Sequence, residues 1–128
     1  MVNVVALVVG LLRPALNFYA EVPANEERPV GRIEEAGGIQ PSSLMPGRLT
    51  TVDLQLTTWG TTKSEAWQLL ADAVETLREA PRVDPTHSQG VLTRVEPLGV
   101  FYLPDVDWPA NGRPGPRYEM TVRIVAHG

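Results

Sequence analysis

Residues 48–80 read RLTTVDLQLTTWGTTKSEAWQLLADAVETLREA, and a change of period inside this stretch decides the fold. Val52, Leu54 and Leu56 alternate with Asp53, Gln55 and Thr57, the two-residue repeat of a strand with one buried face. Past Thr58-Trp59-Gly60-Thr61-Thr62 the repeat lengthens, and Ala66, Leu70, Ala73, Val74 and Leu77 fall on one side of a helix. Thr62 and Glu65 have the T-x-x-E spacing of a capping box, in which threonine accepts a free backbone N–H and glutamate returns the bond. A strand over 48–58 therefore feeds a helix over 62–80, which Pro81 is expected to stop.

Working outward, Val4 to Leu12 is an unbroken apolar run, about half of the roughly 20 residues that a membrane-spanning helix needs. No positive charge precedes it and Arg13 follows it, so the expectation is a buried helix over 2–13, ended by Pro14. Asn17–Val22 reads as a short strand with Phe18, Ala20 and Val22 on one face, and Val30–Glu35 as a second, followed by a Gly37-Gly38 turn. Residues 39–47 read as a loop, and Val91–Leu98 as a further strand. In the last strand, Tyr118–Ala126, the residues Tyr118, Met120, Val122 and Ile124 alternate with Glu119, Thr121 and Arg123. The order α-β-β-β-α-β-β predicts one α+β domain over 1–128. Its sheet is mixed, largely antiparallel, of four or five strands, with both helices on the buried face.

The composition agrees with a single globular domain: 128 residues, 43% hydrophobic, 20% charged. With no cysteine, disulfides, thiolate zinc sites and cysteine nucleophiles are excluded. A net charge of −4 without a basic block argues against a groove built to neutralise phosphates. Twelve prolines and eleven glycines gather at 23–47, 81–90 and 97–116, which places the excess in connections. Trp59 and Trp108 stand at loop edges. Trp67 stands beside the helical stripe, where a buried indole would cost about 3 kcal/mol to remove.

The residues that carry chemistry elsewhere do not assemble a site here. His87 and Asp84 offer two metal ligands without a third, and His127 is near the chain end. Asp105 and Asp107 flank Val106 between Pro104 and Trp108-Pro109, where turn-forming aspartates are expected. Gly31, Gly37 and Gly38 lead to a loop instead of a helix, so they form no phosphate cradle. Ser42, Ser43, Ser64 and Ser88 lack a nucleophile motif. The expectation is no catalytic, metal-binding or cofactor-binding residue, and no cofactor. Glu26, Glu27, Glu34 and Glu35, with Glu21, make the first third acidic. Such residues form a solvated face or, in a ring, an anionic channel wall that keeps nucleic acid from adhering.

A wider pattern joins these pieces. An apolar N-terminal helix precedes Tyr19-Ala20-Glu21-Val22-Pro23, and Pro29-Val30-Gly31-Arg32-Ile33 leads to Gly37-Gly38. A strand then ends in Trp59-Gly60, and a helix carries Ala66, Leu70 and Leu77. Tyr102-Leu103-Pro104-Asp105 and a final Pro116-Arg117-Tyr118 strand follow. This order resembles the tail terminator (tail completion) proteins of long-tailed bacteriophages, particularly those of actinobacterial phages, over nearly the whole chain.

The resemblance implies a structural virion protein of the tail-neck region, assembled in the host cytoplasm, with no enzymatic activity. In that family six subunits form a ring that caps the tail tube, ends its polymerisation and joins the head-side connector or closure protein. Genomic DNA would pass through the lumen without specific binding, and no membrane is involved. Ile39, Leu44, Met45, Trp108, Arg113 and Arg117 are the candidate loop contacts with such partners, and Glu26, Glu27, Glu34 and Glu35 the candidate channel wall. Two other readings stand beside it. One is another neck component, an adaptor or head-closure subunit. The other is a small ligand-binding domain or minor enzyme using His87, Asp105, Asp107 and Arg117.

Overall fold

The computed structural model describes residues 4–13, 15–23, 27, 29–36, 50–83, 91–106 and 115–127, with side chains excepted at 80–83, 103–106, 115 and 127. The elements are α1 (Val4–Leu12), β1 (Phe18–Tyr19), β2 (Val30–Glu35), β3 (Thr50–Trp59), α2 (Lys63–Val83), β4 (Val91–Val106) and β5 (Gly115–His127). Five strands form one sheet in the order β1-β2-β3-β5-β4. β1 runs parallel to β2, and every other pairing is antiparallel. The expected α+β class and element order both hold. Because β5 inserts between β3 and β4, the β3-α2-β4 crossover joins two parallel strands that never touch, a split βαβ unit.

One sheet face carries the core. Ile33, Val52, Leu54, Leu56, Met120, Val122 and Ile124 pack there against Leu7, Val8 and Leu12 of α1 and Ala66, Leu70, Ala73 and Leu77 of α2. Enclosure explains the apolar run of α1: Val5, Val9 and Leu11, off its buried stripe, still pack against the same core. Gly31 lets β1 close on β2, since a Cβ there would overlap the ring of Phe18, itself fully buried.

The strand-to-helix junction is tighter than its motif implies. Glu65 N donates to Thr62 Oγ1 at 3.1 Å, as a capping box requires. The carboxylate, however, bypasses Thr62 and accepts from Thr61, from the backbone N–H at 3.0 Å and the hydroxyl at 2.9 Å. The buried Thr58 hydroxyl donates to the Ala66 carbonyl at 2.8 Å, tying the end of β3 to the first turn of α2.

Those bonds from Thr61, backbone first, hold the Glu65 carboxyl below its ordinary value of 4.5. A carboxyl lowered in the folded state stabilises above its unfolded pKa, and the gain disappears as pH falls through the folded pKa. Urea unfolding of wild type and Glu65→Gln should therefore diverge most at neutral pH and converge in acid. A constant difference across that range would show that the charge of Glu65 does not serve the cap.

Three boundaries depart clearly from the sequence reading. β1 keeps only Phe18 and Tyr19 of the expected 17–22, so Ala20 and Val22 lie outside it. The helix expected to stop at Pro81 continues to Val83. In a last turn proline forfeits one ladder bond, which is tolerable where the following residues need not extend the helix. β4, expected to end at Leu98, runs on to Val106 through Pro97 and Pro104. It is an edge strand with register shifts at Pro97/Gly99 and Leu103/Val106, where a missing amide costs least.

Trp67, beside the helical stripe, reaches the surface. It is 47% exposed, its ring edge-on to Tyr118 at 5.3 Å between centroids. Trp67→Ala should lose about 1–2 kcal/mol, short of the cost of a buried indole. Thermal unfolding reads the difference.

Candidate assembly interface

The sheet face away from the helices is laid out in charged pairs. Arg123 of β5 lies directly across from Asp53 of β3, donating from Nε to Oδ1 at 2.9 Å and from Nη2 to Oδ2 at 3.2 Å. The hydrogen bonds that Asp53 accepts, and then its charge, raise the Arg123 pKa further. Along single strands, Arg32–Glu34 stand at 3.2 Å, Arg117–Glu119 at 3.7 Å and Arg94–Glu96 at 3.8 Å. Alternate residues of a strand share a face, so these pairs follow from i, i+2 spacing.

At one corner this face closes over. Trp59 and Val30 sit side by side in register and are buried, with Tyr19 and Val22 packed against them. The Arg32 guanidinium lies over the Trp59 ring at 5.4 Å and that of Arg13 over Tyr19 at 4.7 Å. Trp59, expected at a loop edge, is thus the anchor of a second, smaller core.

The far end of the sheet is different. The exposed large apolar side chains among the described residues are Leu98, Val100 and Phe101 of β4 and Trp67 of α2, which packs on Tyr118 of the neighbouring β5. Val100 pairs with Met120 and Tyr102 with Tyr118 on the helix-covered face, while Phe101 pairs with Glu119 on the opposite one. The Tyr102 and Tyr118 rings meet at 4.9 Å, Trp67 leans on Tyr118, and Lys63 Nζ lies over Tyr102 at 4.4 Å. The edge is therefore apolar on both faces. The unbroken apolar run Val100-Phe101-Tyr102-Leu103 signalled this strand, and the prolines at 97 and 104 hid it.

Of the acidic residues singled out earlier, Glu34 and Glu35 are exposed at the end of β2, and Glu27 is exposed, its carbonyl accepting from Asn17 Nδ2 at 3.2 Å. Glu26 lies outside the described residues, as do Ile39, Leu44, Met45, Trp108 and Arg113. Arg117 sits in β5 beside Trp59's register position, half-buried, and belongs to a strand instead of a loop. The structure brings together Glu34 and Glu35 but leaves Arg117 two strands away from them.

Asp105 falls in β4 and His127 ends β5, both with side chains outside the description, which also excludes His87 and Asp107 entirely. Among the described residues no three His, Cys, Asp or Glu groups converge on a metal position. No described helix is long and apolar enough to cross a membrane. An open cleft of about 480 Å³ lies between Asn17, Pro29 and the first turns of α2, where Glu65 and Asp72 face it with Gln68 and Leu69. Among the described residues its charged lining is acidic, from Glu27, Glu65 and Asp72.

Comparison with solved structures finds the same fold in a chain of the virion of a native gene transfer agent (GTA) particle. The alignment covers 96% of this chain and 86% of that one, at 16% identity and a TM-score of 0.59. At that identity the likeness is one of fold. No known protein family matches the sequence, and no curated protein matches it either.

Proposed function

We propose that this chain is a structural subunit of a phage-like virion, and within it the tail terminator. Copies close into a ring, six in number, that caps the tail tube, ends its polymerisation and meets the head-side connector. The observation that carries this reading is the end-to-end sharing of a fold with a GTA virion chain, which meets the residue order that resembles the terminators. The surface supports it: an apolar strand edge suits a lasting contact between subunits. A net charge of −4 per copy suits a lumen that lets DNA pass without holding it. The protein works by shape, with no bond made or broken.

The test mixes purified chain with growing tail tubes and images the ends. Rings seated on tubes of limited length are the expected result. Tubes that keep growing with the chain present, or virions that lack it by mass spectrometry, would refute the proposal.

A further inference from the structure

We propose that the outer edge of β4, with Trp67 beside it, seats a second copy of this chain, which presents its β1–β2 end. The inference deepens the ring reading above and rests on it for closure of the ring, though not for the contact itself.

Three observations converge. First, β4 ends the sheet, so one side of its backbone has no ladder partner among the described residues. Pro97 and the register shifts interrupt this edge, yet it still exposes Leu98, Val100 and Phe101 at 45%, 40% and 66%. Second, the opposite end of the sheet is also open. β1 pairs only with Gly31 and Arg32, so among the described residues Ile33–Glu35 of β2 have no ladder partner on that side.

Third, the charges at the two ends are complementary. Among the described side chains, the exposed charges at β4 are Arg94 and, from α2, Lys63 over Tyr102, with half-buried Glu96 paired to Arg94. At the β1–β2 end Glu21, Glu34 and Glu35 are exposed. The described cations there are engaged, Arg13 over Tyr19 and Arg32 over Trp59 and paired to Glu34. An acidic end meeting a basic, apolar end is a head-to-tail contact, the kind that repeats until rotation closes a ring. It assigns Glu34 and Glu35 to contact between copies instead of to the lumen.

The experiment is sedimentation velocity with native mass spectrometry on the full chain, with circular dichroism confirming the fold. Phe101→Glu should weaken self-association about tenfold or more. The pair Lys63→Glu with Arg94→Glu should weaken it, as should the pair Glu34→Lys with Glu35→Lys, whereas all four together should restore it. The substituted side chains are all exposed, so folding is preserved in each variant.

A wild-type chain monomeric at its highest soluble concentration overturns the proposal, as does a fourfold swap that recovers nothing. If Phe101→Glu self-associates normally but no longer engages tail tubes, the edge belongs to another virion protein and the second-copy assignment is wrong. Rings indifferent to every variant keep the virion reading and remove this interface. Wild-type assemblies that dissolve in the variants yet ignore tail tubes do the reverse.

Discussion

Trp59→Ala is expected to lose about 3–5 kcal/mol of folding free energy, among the largest effects of any single truncation in the chain. The side chain is 1% exposed and lies on the sheet face that the helices leave open. Truncation would empty the small core shared with Val30, Tyr19 and Val22 and remove the surface on which the Arg32 guanidinium rests. Few atoms stand ready to collapse into that space, so the cavity penalty adds to the lost transfer free energy. Against a total of about 5–15 kcal/mol for a domain of this size, the variant would be close to unfolding at physiological temperature. Urea denaturation followed by circular dichroism is the measurement. A loss under about 1 kcal/mol would mean that the second core contributes nothing beyond a contact on paper.

That second core marks the boundary of what the sequence made legible. β3, α2 and β5 could be read because each keeps one period over at least seven residues and buries one stripe, as Leu54, Leu70 and Val122 do. Trp59 breaks the rule. It follows Thr58 in a run where four successive residues are buried, so both faces of the strand end are covered. Alternation cannot report a strand packed on both sides.

β4 was misread for the converse reason. Its prolines at 97 and 104 are breaker signals, and their meaning depends on whether the strand is central or at an edge. That in turn depends on β5 entering between β3 and β4, a pairing of residues about 70 positions apart, as in Asp53 with Arg123. The exposed edge at Leu98, Val100 and Phe101 was hidden with it, since exposure is a property of strand order. Trp67 is a smaller case. It lies one residue from the stripe of Ala66 and Leu70, about 100° around the helix, far enough for half its surface to reach solvent.

Gly60→Ala should be nearly as costly, about 2–4 kcal/mol, by a route that removes no contact at all. A Cβ at Gly60 would lie 2.6 Å from Ala66 N, 2.7 Å from Thr62 O and 2.9 Å from Glu65 Cβ. Two of those three atoms are backbone, one at the cap residue Thr62 and one in the first turn of α2, where no side-chain rotation can make room. The turn itself must shift, and the bonds that converge there would shift with it: Glu65 N to Thr62 Oγ1, Thr61 to the Glu65 carboxylate, and Thr58 Oγ1 to Ala66 O. Thr62→Ala, which deletes one cap bond and leaves the backbone path intact, should cost about 1 kcal/mol. The ordering of the two variants in urea unfolding is the discriminating result. Equal losses would place the strain in the cap alone, whereas a Gly60→Ala loss well above that of Thr62→Ala shows that α2 starts where it does because the chain passes beneath it without a side chain.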